Sequence, residues 1–452
     1  MYDLIIIGGG PGGYMAAERA GHEGRSVLLI EKRALGGVCL NEGCIPTKTL
    51  LNSAKIYDYA LHGSAYGVNV DNARLDHKFV LQRKNKVVDT LVGGVKALMK
   101  ANKVTVVYGE AFILDNTSVR VGDDVYRGNR LMIATGSLPV VPPIDGVAEG
   151  LTSGFVLTSS EMLDLEEVPE NLVVIGGGVI GLEMASYYNS AGSKVTVIEM
   201  LPKIGGAIDG DISGILAKNY RKKGIDFILG ARAAGIRQGS VLCLTHEQDL
   251  DPSPVICDKV LLAIGRKPAI RGFGLENAGV EVERGAIKTD LHGLTSVPNI
   301  YAVGDVNGKY MLAHAAYREA EVAVNHMLGK RDVMRYDAIP SVVYTSPEVA
   351  CVGESEETAK AKGIDYAAVT VPMAYSGRYL AENSVTDGIC KVVVDKKYRN
   401  ILGVHMIGSY VSEIIVSACA MIEMQMRIDD VRELVFPHPT VGEIIREAVF
   451  RL

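Results

Sequence analysis

A short unit occurs twice in this chain and leaves few architectures open to it. The first copy runs Asp3-Leu4-Ile5-Ile6-Ile7, then Gly8-Gly9-Gly10-Pro11-Gly12-Gly13, a helical stretch through His22, and Ser26-Val27-Leu28-Leu29-Ile30-Glu31. The second runs Leu172-Val173-Val174-Ile175, Gly176-Gly177-Gly178-Val179-Ile180-Gly181 and Val195-Thr196-Val197-Ile198-Glu199, with the same separation from first glycine to acidic residue. A buried strand, a G-x-G-x-x-G turn, a helix and an acid closing the next strand are the parts of a dinucleotide-binding βαβ unit. Gly8, Gly10 and Gly13 in one copy, and Gly176, Gly178 and Gly181 in the other, let backbone N–H groups approach a pyrophosphate whose charge the helix N-terminus offsets. Glu31 and Glu199 are placed to bond the hydroxyls of an adenosine ribose. One such motif alone could be a tight strand–helix turn. Two, each in full context, predict an α/β chain with two Rossmann-like domains and two dinucleotides. No Arg or Lys stands at Met200 or Leu201, where a ribose 2′-phosphate would need one, so the second site is expected to take NAD and not NADP.

The stretch Gly36-Gly37-Val38-Cys39-Leu40-Asn41-Glu42-Gly43-Cys44-Ile45-Pro46-Thr47-Lys48 carries a different chemistry. On a regular helix the two cysteines would lie about 8–9 Å apart at Cα, too far for a disulfide. The segment is therefore expected to bend, with Gly36, Gly37 and Gly43 supplying backbone freedom and Pro46 suiting the first turn of a helix through Leu51. Cys44 then falls at a helix N-terminus, which stabilises a thiolate and makes the pair a candidate for disulfide exchange. A structural disulfide or two ordinary buried thiols is the plainer alternative. Against it, the seven cysteines are odd in number and contain no other close pair. Met1-Tyr2-Asp3 also runs straight into a strand with no leader, which sets the expectation of a reducing cytoplasm.

At 452 residues the chain has length for about three domains. Acidic residues outnumber basic ones, 53 to 47, and no basic block occurs, so neither nucleic acid nor an anionic membrane is an expected partner. No apolar run approaches the roughly 20 residues that span a bilayer. Between the copies, 78–101 has helical periodicity and 104–107 strand character. Leu131 to Ser137, containing Ala134-Thr135-Gly136, reads as a strand and turn ahead of the proline-rich crossover Pro139 to Pro143. A comparable strand and turn, Leu261 to Pro268, includes Gly265. Asn299 to Asp305 is a strand whose terminal Asp305 points into a crevice or caps the next helix. From Pro340 the texture changes to short β segments, a hairpin formed by 390–394 and 401–406, and an apolar helix 411–424 expected to be buried on all sides, in its own core or against another subunit. Prolines flank His438 and fix its backbone. Thr440-Val441-Gly442-Glu443 spells a capping box, the favoured reading for Glu443 over a pairing with His438.

With these residues in hand, the sequence resembles the flavoprotein disulfide reductases over 1–452, most closely the members that oxidise dihydrolipoamide with NAD. The resemblance implies an FAD-binding domain at 1–148, an NAD-binding domain at 149–270, a central domain at 271–339 that completes the FAD site, and a C-terminal α+β interface domain at 340–452 that forms a homodimer. It implies FAD on Gly8, Gly10, Gly13, Glu31, Lys48, Thr135, Gly136, Asp305, Ala313 and His314. It implies NAD on Gly176, Gly178, Gly181, Glu199 and Gly265, and no metal. Cys39 and Cys44 would be the redox pair, with Lys48 beside the flavin and paired with Glu183. His438 and Glu443 would act on the partner subunit's disulfide. The thiol substrate would come from a lipoyl-bearing protein of a 2-oxo acid dehydrogenase or glycine-cleavage complex. A glutathione-type disulfide reductase, or a non-catalytic subunit of a multienzyme complex, are the competing readings. Two residues depart from the family pattern: Phe436, where a histidine is common, and Glu42, where an apolar residue is common.

Overall fold

The computed structural model describes residues 1–244 and 252–452. They form two compact units: Met1–Thr49 with Phe79–Val140 and Gly265–Arg335, and Leu50–Lys78 with Val141–Ile264 and Tyr336–Leu452.

In the first unit, β1 (Tyr2–Ile7) lies between β2 (Val27–Glu31) and the strand Asp124–Ile133, and pairs in parallel with both. β3 (Thr105–Tyr108) extends the sheet beyond β2, and the short strand Ile300–Ala302 pairs in parallel with Asp124–Ile133. Alternation along β1 explains its unbroken apolar spelling. Leu4 and Ile6 enter one core with Val27, Leu29 and Met132, while Ile5 and Ile7 enter the opposite core with Leu28, Ile30 and Leu131. α1 (Pro11–His22) carries the chain from β1 to β2. Two further helices, α2 (Gly37–Glu42) and α3 (Cys44–Leu61), follow β2. α4 (His77–Ala101) fulfils the periodicity seen in the sequence.

The second copy of the βαβ unit centres a five-stranded parallel sheet in the second unit. Its strand Asn171–Ile175 lies between Lys194–Glu199 and Lys259–Leu262. The C-terminal part is a five-stranded antiparallel sheet in which Ile389–Asp395 and Ile401–Gly408 form the expected hairpin. Its core joins Val392, Val404 and Met406 to Ile415, Ala418 and Met421 of the helix Val411–Glu423, and to Ile444 and Ile445. Burial of that helix on all sides does not hold within one chain. Val411, Ile415, Ala418 and Met421, one stripe at helical spacing, are fully buried, Ile414, Cys419 and Ile422 are partly covered, and Val416 stays 68% exposed. Lys391, on the strand Ile389–Asp395, is nearly sealed from water and donates to Asp209, Asp211 and Glu356 at 3.0, 2.6 and 2.8 Å. Among the described residues no helix is long and apolar enough to cross a membrane.

Candidate active site

The two glycine loops are superimposable in their bonding. Gly8 and Gly176 adopt φ of +104° and +109°. A Cβ on either would stand 2.3 Å from the Ala134 carbonyl oxygen or 2.4 Å from that of Ala263. A Cβ on Gly13 would be 1.8 Å from the Gly8 oxygen, and one on Gly181 2.1 Å from the Gly176 oxygen. These glycines therefore let helix and strand touch, which is the packing that brings a helix N-terminus up to a phosphate. Neither α1 nor the helix Val179–Ser190 has a side-chain cap or an acid in its first turn, so each keeps its positive end for an anion. Glu31 takes the Gly9 and Arg33 N–H groups at 2.7 Å each, and Glu199 takes those of Gly177 and Leu201 at 2.6 and 2.7 Å. Carboxylate oxygens accept more than one bond, so ribose hydroxyls can be added to this arrangement. The residues fit two dinucleotides.

The redox segment bends where glycine permits. Gly36 and Gly37 have φ of +96° and +56°, and α2 stops at Glu42. Gly43 breaks the helix at φ −147° and ψ −106°, and α3 restarts with Cys44 as its first residue and Pro46 in its first turn. The break brings the two sulfurs together. Cys39 donates a hydrogen bond to Cys44; that bond, then burial, then the charge of Cys44 push the Cys39 thiol up, and Lys48 opposes them. Cys44, the first residue of α3, sits on the positive end of that helix, which favours a thiolate there. A Cβ on Gly37 would lie 2.6 Å from the Gly10 Cα, so the redox segment packs glycine on glycine against the first dinucleotide loop. The hydroxyls of Tyr14 and Tyr317 bond each other beside this pair, and burial pushes both phenols up.

The strand expected over 299–305 ends at Ala302, and Asp305 lies half-buried in the short 3-10 turn Gly304–Asn307 that follows. It accepts from Ser137 Oγ at 2.5 Å, while Arg266 donates to that Oγ at 2.7 Å and to the Ser137 carbonyl at 2.8 Å. Burial raises the Asp305 carboxyl, and Ser137 and Arg266 partly oppose it. Thr135 donates to the Ala269 carbonyl at 2.7 Å, and Gly136 turns with φ +72°. Gly265 turns with φ +116°, and Ala313 and His314 open the helix Ala313–Met327. Ser137 and Arg266 were absent from the residues that sequence reasoning selected. Their only signal is position, one beside the Ala-Thr-Gly turn and the other beside Gly265.

His438 and Glu443 do pair, against the reading that favoured a plain capping box. His438 Nδ1–H donates to Glu443 Oε1 at 2.7 Å, and Glu443 Oε2 takes the Thr440 N–H at 2.7 Å. Thr440 Oγ1 turns away to the Pro437 carbonyl, so the box is only half made. With Nδ1 as donor, the lone pair of neutral His438 lies on Nε2, and the ring is 77% exposed. Burial alone would raise the Glu443 carboxyl, but the Thr440 and His438 bonds outweigh it and hold it low. Phe436 packs against the C-terminal core, which anchors the histidine loop. Glu183 is buried on its helix and accepts the Tyr344 N–H at 2.9 Å. Lys48 stands one turn beyond Cys44 on α3.

Two dinucleotide cradles, a dithiol pressed against one of them and a carboxylate-oriented histidine describe an oxidoreductase that moves electrons between a nucleotide and a disulfide. Residues 2–320 match the pyridine nucleotide-disulphide oxidoreductase family and residues 339–449 its dimerisation domain, and the chain belongs to that family. It is 40% identical to the dihydrolipoyl dehydrogenase of Mycoplasma pneumoniae, over 99% of this chain and 97% of that one. It is equally 40% identical to the dihydrolipoyl dehydrogenase of Geobacillus stearothermophilus, over 99% and 95%. Among solved structures it is similar to the HOCl-induced flavoprotein disulfide reductase RclA from Escherichia coli, with TM-score 0.87, 30% identity and 99% of each chain covered. LpdA from Mycobacterium tuberculosis shares the fold, with TM-score 0.90 at 24% identity over 100% of this chain and 99% of that one.

Proposed function

We propose that this chain oxidises protein-bound dihydrolipoyl groups, passing the electrons through the Cys39/Cys44 pair and FAD to NAD+. The observation that carries the proposal is the placement of that pair on a segment packed against the first glycine loop. Bound FAD supplies two-electron transfer between the dithiol and the nicotinamide. The chain's own residues bind, orient and move protons. Gly8, Gly10, Gly13 and Glu31 would hold the FAD pyrophosphate and ribose, and Thr135, Gly136, Asp305, Ala313 and His314 would serve the rest of the cofactor. Gly176, Gly178, Gly181, Glu199 and Gly265 would serve NAD, and Lys48, one turn beyond Cys44 on α3, would serve the flavin. His438 Nε2 takes a proton from one substrate thiol, and the resulting thiolate attacks Cys39. Cys44 leaves as a thiolate on the positive end of α3. The second substrate thiol then displaces Cys39, which leaves carrying that thiol's proton, so the substrate departs as a cyclic disulfide. Glu443 fixes the tautomer that makes Nε2 the base.

The enzyme is a homodimer, in keeping with its dimerisation domain. In this reading His438 and Glu443 of one protomer serve the cysteines of the other. The thiol donor is a lipoyl-bearing protein of a 2-oxo acid dehydrogenase or glycine-cleavage complex, working in the cytoplasm, where a reducing thiol pool keeps such a pair cycling. The test is NAD+ reduction by dihydrolipoamide in wild-type and Cys44→Ser protein. Turnover is expected to fall by at least about 1,000-fold, as for loss of a covalent catalytic group. A variant retaining a tenth of wild-type turnover would remove the pair from the chemistry. Faster turnover of glutathione disulfide with NADPH would replace the substrate class.

A further inference from the structure

The two polar side chains between the redox cysteines both reach back to the segment that follows β2. Asn41 Nδ2 donates to the Leu35 carbonyl at 3.1 Å and to the Gly37 carbonyl at 2.9 Å. Glu42, the last residue of α2, forms an ion pair with Arg33, whose backbone N–H is held by Glu31. The Glu42 side chain keeps 20% of its surface exposed and that of Arg33 keeps 62%. The negative partner thus faces the protein interior and the positive partner faces water, where solvent and salt screen it. The other charged or titratable groups around this turn are Lys48 on α3, Arg266, Asp305, and the phenols of Tyr14 and Tyr317. Arg266 interacts with both Glu42 and Cys44, which places the carboxylate and the sulfur within electrostatic reach of the same cation.

We propose that the Arg33–Glu42 pair sets the reduction equilibrium of the Cys39/Cys44 couple, with the Glu42 carboxylate holding back the dithiol form and Arg33 partly masking that charge. This rests on the redox role given to the two cysteines above. Reduction by an external dithiol converts the enzyme disulfide and the reagent's two thiols into the reagent's cyclic disulfide, Cys39 thiol, Cys44 thiolate and one released proton. The product carries a negative charge that the enzyme disulfide lacks, so any fixed charge near Cys44 biases the equilibrium. Glu42 stands two residues from Cys44 and opposes the new charge; Arg33 opposes Glu42. Glu42 and Arg33 are positioning residues here, acting on the sulfurs through their charge.

The test uses FAD-loaded wild-type enzyme, Arg33→Gln, Glu42→Gln and the double variant, each equilibrated in dithiothreitol buffers of graded oxidation. The oxidised fraction of the pair is counted by alkylation and mass spectrometry. Glu42→Gln is expected to raise the equilibrium constant for reduction about three- to tenfold, the scale of one nearby charge in a partly screened site. Arg33→Gln is expected to lower it by a smaller factor, and the double variant to fall between wild type and Glu42→Gln. A purely structural role would move both single variants in the same direction and the double variant furthest, and that pattern overturns the proposal. Identical constants in all four proteins overturn it too. Failure of wild-type protein to form the disulfide in oxidised buffer would instead sink the redox role of the cysteines, and the proposal with it.

Discussion

His405 is a buried imidazole with one nitrogen satisfied and one not. It is 3% exposed; Nε2–H donates to the Glu354 carbonyl at 2.8 Å, and Nδ1 has no hydrogen-bond partner. Burial lowers its affinity for a second proton, and the Lys391 cation adds to that. The Glu354 carbonyl, Asp209 and Glu357 work the other way without reversing it. A folded-state value below the ordinary 6.5 means that the unfolded chain binds more protons as pH falls. The stabilisation is therefore complete above pH 6.5 and is lost as the pH falls toward the lowered value, by at most about 1.4 kcal/mol per pH unit. Thermal unfolding between pH 7 and 5 should show a shallower loss of midpoint in His405→Gln, whose amide can keep the Glu354 bond. Equal slopes would mean that His405 takes its proton in the folded state. Nothing local in the sequence marks this residue, since its surroundings are assembled from 209, 354, 357 and 391. Glu443 teaches a complementary lesson. Its spelling suits a cap, and the cap uses one carboxylate oxygen; a motif read for one oxygen is blind to the other. Arg266 and Ser137 lie 129 residues apart and meet only after folding.

At the scale of elements, the two copies of the βαβ unit bond alike, and if they serve the two different cofactors proposed above, equivalent substitutions should have separable effects. Gly181→Ala puts a methyl 2.1 Å from the Gly176 oxygen and must push the helix Val179–Ser190 off its strand. It is expected to raise the KM for NAD+ at least about tenfold while the purified protein keeps its flavin colour, because a helix shifted by a fraction of an ångström loses its aligned N–H contacts. Gly13→Ala, with 1.8 Å to the Gly8 oxygen, is expected to give colourless protein. Steady-state kinetics and a visible spectrum of each variant decide the matter, and loss of flavin from Gly181→Ala would mean the cradles are coupled. These units were legible because their chemistry is local: strand, turn and helix adjoin in sequence, and glycine is required where backbones touch. The bend at Gly43 was legible for the same reason. The helix Val411–Glu423 was legible in position and not in burial, because a mostly apolar spelling does not say which surface its own chain covers.

At the scale of the whole molecule, the exposed apolar side chains on and after that helix form a group. Val416 and Met424 on or beside it, and Leu434 and Val435 ahead of the histidine loop, are 68%, 74%, 43% and 97% exposed in a single chain. All four lie within the segment that matches the family's dimerisation domain. Apolar surface of this kind is covered when a symmetric partner packs on it, and a two-fold interface covers the same patch on both chains. The His438 loop follows directly from this surface, and its exposed Nε2 has no thiol to act on within the 435–443 segment. If that nitrogen serves the other protomer, inactive chains must rescue one another. His438→Ala and Cys44→Ser proteins, each nearly inactive alone, are unfolded or dissociated together and reassembled in equal amounts. Random pairing makes half of the dimers mixed, and each mixed dimer has one intact site of two, so recovery of about a quarter of wild-type NAD+ reduction is expected. Two chains mutated at the same position give no such recovery, which separates complementation from refolding. Mixed dimers, verified by mass, that remain inactive would place the base and its disulfide in the same chain and reduce the dimer to a packing requirement.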